Sequence, residues 1–589
     1  MVYLIEHIFK NMEDALFKLL RYMRGYIKES IISPFFKLLE ASFELLVPLV
    51  VASIIDVGIE SRSKEYVIQR CLILVLLAVV GLSCTLLAQY YAAKAAVGFS
   101  TKVKHSLFSH IQSLSYSEID TLGTSTMITR MTSDMNQVQS GVNLTLRLFM
   151  RSPFIVFGSM IMAFTINVQA ALVFAVAIPV LGLVVFGIMC ATIPLHKRVQ
   201  AKLDRVLGIT HENLSGARVI RAFANEKNEI DTFRKSTNEL NYAQKFVGRI
   251  SSVMNPATYA IVNIAITILI WQGAIRVDSG ELTQGQVIAL YNYMSQILIE
   301  LIKLANLIVT VTKAVACGNR IQSVFEIEPS IKDGEGADLQ ADSDYAVEFK
   351  HAYLKYANAS ETSLDDIDFK VKRGEVVGII GGTGSGKTSV INLISRFYDT
   401  CDGEVLVNGV NVKDYPTELL REKIGVVPQR AVLFSGSIRD NMKWGNENAT
   451  DEQIIAAIES AQAKDVLDGK SDGLDFMIEQ GGKNLSGGQR QRFTIARALV
   501  KKPEILILDD SASALDYATD AKLRASLARL DYKPTVFIVS QRTASIAHAD
   551  RIIVLDDGAI VGIGKHEELL NSCLVYSEIY NSQFKKEGE

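Results

Sequence analysis

The chain has 589 residues, of which 49% are hydrophobic and 21% are charged, and its formal net charge is −3. This length is too great for one hydrophobic core, so two or more domains are expected. The mean hydropathy of +0.21 is high for a soluble protein, which indicates that part of the chain is membrane-like. The slightly negative charge gives no reason to expect a nucleic-acid partner. The six scattered cysteines suggest neither a disulfide framework nor a metal site.

The first thirty residues interleave charged and apolar side chains at helical spacing. They lack the uninterrupted apolar region and the small-residue cleavage site of a signal peptide. The pattern predicts an amphipathic helix over 1–30 that lies on the cytoplasmic surface of the membrane.

Six later stretches are long and apolar enough to cross a membrane, which takes about 20 residues. The predicted spans are 31–57, 67–93, 145–166, 169–193, 252–276 and 285–312. The basic residues gather in the two long connections, 94–144 and 194–251. The positive-inside rule therefore places the long connections and both termini on the cytoplasmic side of the membrane, which we expect to be a plasma or inner membrane.

The two long connections keep helical periodicity and contain few glycines or prolines. They therefore predict helices that continue about 30 Å beyond the membrane and turn back. The turns are predicted near Tyr116–Ser125 and Gly208–Ser215. A separate small helical domain is the alternative. The tips are expected to dock on the second half of the chain.

Polar side chains inside the predicted spans are costly and face either a cavity or another helix. For each, a helix–helix hydrogen bond or a place at the membrane edge is as good an interpretation as substrate contact. The sequence assigns no substrate residue. The candidates are Glu40, Glu44, Gln89, Arg147, Arg151, Asn263, Trp271, Asn292, Gln296, Glu300, Lys303 and Asn306.

An acidic, glycine-containing segment separates the apolar half from the rest of the chain. We therefore predict a transmembrane domain over 31–325, a linker over 326–345 and a soluble domain over 346–589. The fold class is multi-domain. An all-α, six-helix transmembrane domain with long cytoplasmic helical extensions precedes an α/β domain with a phosphate-binding loop.

The phosphate-binding loop is predicted where an apolar strand runs into a glycine-rich turn and then a helix. Glycines let the backbone approach a ligand, so that N–H groups and the helix N-terminus can face phosphate oxygens. Lys387 would reach the β/γ-phosphates, and Thr388 would offer its hydroxyl to Mg²⁺. The predicted ATP-binding residues here are Gly381, Gly382, Thr383, Gly384, Ser385, Gly386, Lys387, Thr388 and Ser389.

Two further motifs belong with this loop. The apolar segment 504–510 predicts a buried strand whose carboxyl end carries Asp509, the natural partner of Thr388 at Mg²⁺. The second motif opens a helix and makes another anion site. It consists of Leu485, Ser486, Gly487, Gly488 and Gln489. Two phosphate sites in one small domain are explained if two such domains pair and each motif covers the other's nucleotide.

Together these motifs, preceded by six spans, resemble an ABC exporter half-transporter over nearly the whole chain. The resemblance implies an ABC-type ATPase with ATP and Mg²⁺, and a domain-swapped dimer. By the same resemblance Tyr356 stacks on adenine, and Gln429 contacts Mg²⁺ and senses the coupling helices, the moving helices through which the nucleotide site acts on the membrane spans. The D-loop would be Ser513, Ala514, Leu515 and Asp516, and Gln541 occupies the switch position.

Two positions depart from the family pattern. Asp510 stands where the family has the glutamate that polarises the attacking water, and Gln541 stands where it has histidine. Aspartate is about 1.5 Å shorter, and misplacing a catalytic group by about 1 Å can cost about 10²-fold in rate. Glutamine cannot become cationic. Asp510, Gln541 and Gln429 are therefore the predicted catalytic residues, and the site that contains them is expected to bind ATP and hydrolyse it slowly.

These departures favour a heterodimer in which a second ABC half-transporter carries the working site. This chain would complete that site with its motif Leu485–Gln489, which we call the signature motif. A homodimeric exporter of lipid or peptide, or an ATP-binding membrane regulator without transport, is the alternative. The expected partners are that second half, membrane lipid and a small hydrophobic or amphipathic substrate, multidrug- or lipid-like. This last preference rests on family analogy.

Overall fold

A computed structural model gives the fold and describes residues 18–334, 336, 343–357 and 359–584. The chain divides into two compact units. One contains the residues up to Gln112 together with Ser125–Ile327, and the other contains Ser113–Thr124 together with the residues from Glu328 onward. The first unit is helical and the second is α/β, so the predicted fold class is confirmed.

The helices of the first half are long, and several are joined by short breaks rather than by loops. A 3₁₀ turn at Arg21–Tyr26 precedes the first helix, and π-helical turns at Ile54–Ile59 and Arg130–Asp134 interrupt two others. The helices are α1 Ile27–Ser53, α2 Lys64–Ser113, α3 Tyr116–Leu122, α4 Thr124–Thr129, α5 Met135–Leu148, α6 Arg151–Ile166, α7 Val168–Ser215, α8 Ala217–Ala222, α9 Glu226–Ser252, α10 Met254–Asp278 and α11 Gln284–Phe325.

Six helical stretches are long and apolar enough to cross a membrane. They include every predicted span, and each extends beyond the apolar part because the helix continues into polar sequence. Their bounds are Lys18–Ile59, Lys64–Ser113, Thr124–Ile166, Val168–Ser215, Glu226–Asp278 and Gln284–Phe325.

The predicted membrane-surface helix over 1–30 lies mostly outside the described residues. Its described part is helical, and Tyr26 (φ −129°) marks a break before α1. The turn predicted over Gly208–Ser215 is wrong, because α7 continues through Gly208 to Ser215. The chain turns instead at Gly216, and α9 begins at Glu226. Glycine costs a helix interior only about 1 kcal/mol, which the rest of a long helix can offset.

The tip of the first long connection belongs to the α/β unit. The short helix α3 forms it, capped reciprocally by Ser115 and Glu118. The ring centroids of Tyr116 and Phe397 lie 4.6 Å apart. The hydroxyl of Tyr398 donates to the carboxylate of Asp120 over 2.6 Å. These contacts agree with the docking expected for this tip.

The α/β unit is built on a six-stranded sheet with the strand order β12-β11-β3-β10-β9-β6. The pairs from β11 to β6 are parallel, and β12 pairs antiparallel with β11. An antiparallel sheet of order β2-β1-β4-β5 and a small β7-β8 pair complete the unit. The strands are β1 Tyr345–Leu354, β2 Leu364–Lys372, β3 Val376–Gly381, β4 Asp402–Val407, β5 Val410–Asn411, β6 Ile424–Val427, β7 Gly436–Ser437, β8 Met477–Ile478, β9 Ile505–Asp509, β10 Thr535–Val539, β11 Arg551–Asp556 and β12 Ala559–Gly564.

The central strands are buried on both faces, which explains their nearly continuous apolar sequences. Every residue of β9 and of β10 is buried. Helices and the second sheet cover the faces, and their bounds are α12 Lys387–Ile394, α13 Thr417–Lys423, α14 Ile438–Lys443, α15 Asp451–Ser460, α16 Lys464–Asp468, α17 Gly487–Val500, α18 Tyr517–Leu527, α19 Thr543–Ile546, α20 His566–Ser572 and α21 Leu574–Gln583. The carboxyl ends of β3, β6, β9 and β10 therefore lie side by side, where parallel sheets bind ligands.

Candidate functional site

The glycine loop follows β3 directly and ends where α12 begins. Gly386 precedes the helix with φ 91°, a left-handed conformation that favours glycine, and a Cβ there would lie 2.6 Å from a side-chain carbon of Leu364. Lys387 Nζ donates to the carbonyl oxygens of Gly381 (3.0 Å) and Gly382 (2.5 Å), so the loop curls around the lysine. Burial lowers the pKa of this ammonium. An anion facing it would offset that desolvation.

A buried carboxylate faces the loop from the end of β9. The hydroxyl of Thr388 donates to Asp509 Oδ2 over 3.2 Å, and the Asp509 residue is only 5% exposed. Burial raises the pKa of Asp509, and the charge of the neighbouring Asp510 raises it further. A divalent cation would stabilise the ionised form, since an opposite charge favours ionisation.

Asp510 turns away from the strand with φ 46°, and its backbone N–H donates to the carbonyl of Val539 over 2.9 Å. Burial raises the pKa of its carboxyl group. The amide Nε2 of Gln429, just beyond β6, lies 3.4 Å from Asp510 Oδ2. Two predicted catalytic residues from separate strands are therefore in contact.

The switch position follows β10 and is tied to the last helix. Gln583, at the end of α21, donates from its amide nitrogen to the backbone oxygen of Gln541 over 2.6 Å. Its amide oxygen accepts from the N–H of Thr543 (2.9 Å) and from the Thr543 hydroxyl (3.0 Å). Gln583 was not predicted, because it lies 42 residues from Gln541 along the chain and belongs to no local motif.

The predicted ATP-binding residues, apart from Gly381, Gly382 and Ser385, line one cavity of about 300 Å³. Tyr356 lines it from beyond β1, with its hydroxyl 2.9 Å from the Ser389 hydroxyl. Its ring stands edge-on to Tyr398, with the centroids 4.9 Å apart. The other predicted residues that line the cavity are Thr383, Gly384, Gly386, Lys387, Thr388, Ser389, Gln429, Asp509, Asp510 and Gln541. Ser363, Val539 and Ser540 also line it and had not been predicted.

The second anion motif is not part of the cavity lining. Ser486 caps α17, with its hydroxyl 3.3 Å from the N–H of Gln489, whose side chain accepts from the N–H of Ser486 over 3.0 Å. Leu485, the first residue of the motif, is buried, and the Gly487 Cβ position faces open space. A Cβ on Gly488 would lie 3.1 Å from the carbonyl oxygen of Ala514.

The predicted D-loop connects this motif to the cavity. The hydroxyl of Ser513 donates to the backbone oxygen of Asp510 over 2.8 Å. Arg542 donates to the backbone oxygens of Ser513 (3.2 Å) and Leu515 (3.3 Å), and Asp516 caps α18 through the N–H of Thr519 (2.9 Å). The D-loop is therefore bonded both to the carboxylate strand and to the residue after Gln541.

The residues that line the cavity fit a nucleotide polyphosphate with Mg²⁺. Lys387, the glycine-loop N–H groups and the α12 N-terminus supply cationic or dipolar partners for phosphate. Asp509 and the Thr388 hydroxyl supply oxygen ligands, and Mg²⁺ in such sites takes its remaining ligands from phosphate and water. Among the described residues no group of three or more His, Cys, Asp or Glu side chains could hold a metal by itself.

Comparison with known proteins agrees with this geometry. Residues 30–301 match the ABC transporter transmembrane region, and residues 364–513 match the ABC transporter family model. An uncharacterized ABC transporter ATP-binding protein of Bacillus subtilis is 35% identical, covering 97% of this chain and 99% of its own length. One of Mycobacterium tuberculosis is 36% identical over 92% of this chain and 93% of its own length.

A third relative carries a functional name. The ATP-dependent lipid A-core flippase of Desulfotalea psychrophila is 31% identical, covering 81% of this chain and 83% of its own length. The spans, the α/β unit and these matches lead to one conclusion. The chain belongs to the ABC exporter family, and it is a multi-pass membrane ATPase and translocase with a cytoplasmic nucleotide-binding domain.

Proposed function

We propose that this chain is one half of a heterodimeric ABC exporter that moves a small hydrophobic or amphipathic substrate, multidrug- or lipid-like, across the membrane at the expense of ATP. Exporters of this family act as dimers. In our proposal the chain's own site binds ATP and Mg²⁺ but hydrolyses slowly. Its signature, Leu485–Gln489, completes the active site of the other half.

The observation that carries the proposal is the pair Asp510 and Gln541, which line the same cavity as Lys387 and Asp509. Lys387, the glycine loop and Tyr356 would hold the nucleotide, and Thr388, Asp509 and Gln429 would hold Mg²⁺. The bound ion supplies charge neutralisation at the phosphates. Two substitutions away from the family pattern, in a cavity that keeps every binding element, favour slow hydrolysis over loss of binding.

The residues of this chain have distinct parts in the proposed reaction. Asp510 would accept a proton from the attacking water, but its carboxylate is one methylene short of the family's glutamate. Gln541 would donate a hydrogen bond to the terminal phosphate without supplying a positive charge. Gln429, in contact with Asp510, would report the state of the site to the moving helices. The signature motif does not line this cavity, which is compatible with a motif that serves another nucleotide.

A lipid-like substrate is favoured by the relative named as a lipid A-core flippase. A homodimeric exporter of lipid or peptide is the second candidate, because this chain carries both a phosphate-binding loop and a signature motif, the two parts that a symmetric pair needs. The two candidates differ in what the chain assembles with.

Purification of the tagged chain from its native membrane tests the proposal. We expect a second ABC half-transporter to co-purify, with glutamate after the aspartate that corresponds to Asp509 and histidine at its switch position. Recovery of the chain with itself alone would contradict the heterodimer. Vesicles containing the complex should take up a fluorescent amphiphile only with ATP, and an ATP-binding regulator would not do so.

A further inference from the structure

Six charged side chains from three membrane helices form one cluster inside the helical unit. They are Lys37, Glu40 and Glu44 of α1, Arg151 of α6, and Glu300 and Lys303 of α11, and we refer to them as the charge cluster. Charges in a membrane span are expensive and are retained where they serve a function or pair with each other. The members pair, but they do not all pair in the same way.

Arg151 lies at the centre of the cluster. It donates to Glu300 Oε1 over 2.6 Å and to Glu44 Oε2 over 2.7 Å. Its Nε–H has no hydrogen-bond partner among the described residues, and the nearest oxygen of Glu40 is 3.8 Å away. A purely structural ion pair gains stability only when its donors are satisfied. This buried guanidinium, whose side chain is 8% exposed, keeps one unused donor.

The exposure of the cluster divides it into two sets. Four members (Lys37, Glu40, Arg151 and Glu300) have side chains that are at most 15% exposed, and their formal charges cancel. We call them the buried set, in which Glu40 is only partly buried. The other two are open and opposite in sign, since the Glu44 side chain is 38% exposed and the Lys303 side chain is 41% exposed. Each open charge is bonded to a member of the buried set, Glu44 to Arg151 and Lys303 to Glu300 over 2.7 Å. The cluster therefore exposes one carboxylate and one ammonium, and the four less exposed side chains beside them have no net charge.

The depth of the cluster in the membrane follows from helix geometry. Glu44 and Arg151 lie 15 residues before Ile59 and Ile166, and Glu300 lies 16 residues after Gln284. At about 1.5 Å per residue, all three lie about 23 Å from the outer ends of their helices. In a hydrocarbon core of about 30 Å, this depth falls in the inner leaflet.

A cavity lined mainly by polar residues of α5 and α11 lies on the cytoplasmic side of the cluster. Its volume is about 320 Å³, and it is lined by Gln139, Ser140, Asn143, Leu144 and Thr310. Asn143 lies eight residues before Arg151, and Thr310 lies ten residues after Glu300, which corresponds to about 12–15 Å. Polar side chains therefore lie both in the cluster and on its cytoplasmic side, which favours entry of a hydrated headgroup from that side.

We propose that the charge cluster is the headgroup site for the exported amphiphile and that it selects a zwitterionic headgroup, with an amine at Glu44 and an anionic group at Lys303. The inference rests on the proposed function in taking an amphiphile as the occupant. A headgroup with a net charge must lose hydration in order to bind, and a cluster without net charge offers no net attraction to offset that cost. Two open charges of opposite sign pair with both ends of a zwitterion.

A binding experiment with matched headgroups tests this without requiring transport. The full-length chain in maltoside micelles is titrated with dioctanoyl phosphatidylethanolamine, dioctanoyl phosphatidylglycerol and a cationic dioctanoyl ethylphosphocholine, followed by tryptophan fluorescence. We expect at least about tenfold tighter binding of the zwitterion, equal to about 1.4 kcal/mol. A single-chain N-dodecyl amino acid in a second arm distinguishes a diacyl lipid from a smaller zwitterion, and preference for either over charged analogues supports the site.

Charge reversal separates selectivity from stability. Glu44→Lys should shift the preference to phosphatidylglycerol, and Lys303→Glu should shift it to the cationic lipid. Glu44→Gln and Lys303→Met, which retain folding more readily, should reduce the zwitterion preference without inverting it. Lys313→Met removes an exposed charge from the same helix and is the matched control, expected to bind as the unmodified chain does.

The results have distinct meanings for the two proposals. Equal binding of the three headgroups by the unmodified chain, or reversals that lower thermal stability without changing the preference, would show that the cluster only joins helices. Zwitterion-selective binding without ATP-driven uptake in vesicles would leave this site in place and contradict the exporter. ATP-driven uptake in vesicles without any headgroup preference in binding would support the exporter and contradict the headgroup site.

Discussion

Restoring both departed positions should turn the slow site into a working one. The change is Asp510→Glu with Gln541→His. Glutamate extends the carboxylate by about 1.5 Å from its present place beside Gln429, where Asp510 Oδ2 lies 3.4 Å from the amide nitrogen. Correcting a misplacement of this size is worth about 10²-fold, and histidine adds a possible cation at the phosphate. We therefore expect the ATPase turnover number of the purified chain to rise by at least about 10²-fold.

The backbone at position 510 provides an internal check. Its φ of 46° is left-handed, and aspartate tolerates this conformation better than glutamate does. The double change should therefore lower the free energy of unfolding by about 1 kcal/mol while activity rises. Opposite signs in thermal denaturation and in steady-state phosphate release would exclude general stabilisation as the cause.

The assay needs two controls. Asp531→Glu makes the same chemical change at an exposed position and should leave turnover unaltered. Asp510→Asn with Gln541→His should stay slow, because an amide cannot accept the proton of water. An unchanged turnover number in the restored double variant, with ATP binding intact, would refute the interpretation of Asp510 and Gln541.

Three other changes have defined outcomes. Ser486→Ala removes the α17 cap, so we expect the domain to lose about 1 kcal/mol of stability. Hydrolysis by the complete exporter should slow, and ATP binding to this chain should be unaltered. An equal loss of ATP binding to this chain would contradict a role of the motif toward the other half. Gln583→Ala removes three hydrogen bonds to the switch segment and should speed amide exchange at Thr543, whose N–H donates to Gln583, whereas unchanged exchange would exclude positioning by α21. Asp509→Asn should raise the melting temperature of the nucleotide-free chain at neutral pH while weakening Mg²⁺-dependent ATP binding. Burial raises the pKa of Asp509, so its ionised form opposes folding above the folded-state pKa; the gain should disappear below pH about 4, and its persistence there would contradict an electrostatic cause.

Local motifs account for what the sequence predicted well. The glycine loop from Gly381 to Thr388 and the strand ending at Asp509 are contiguous patterns, and one strand–loop–helix unit is enough to specify each. Their contact, Thr388 with Asp509 over 3.2 Å, follows because β3 and β9 are parallel strands on either side of β10 and end at the same edge of the sheet. The six spans were equally accessible because a membrane demands continuous apolar length.

Contacts between distant segments could not be predicted from the sequence. Arg151 and Glu300 were each indicated as polar residues in spans, but their pairing joins positions 149 residues apart. Gln583 is an ordinary glutamine near the end of a short helix until its contact with Gln541 is seen. The wrong turn at Gly208 has a local cause, because a glycine suggests a break that helix continuity in α7 overrides.

The chain purified alone offers the most direct test of the central claim that its own pocket retains ATP. Radiolabelled ATP with Mg²⁺ is added to the full-length chain, unbound nucleotide is removed, and the bound species is followed with time. We predict that bound ATP persists, depends on Lys387, and is converted to ADP far more slowly than the about 10 s⁻¹ of a typical enzyme. Conversion and release of ADP at that ordinary rate, by this chain without another half-transporter, would contradict the account.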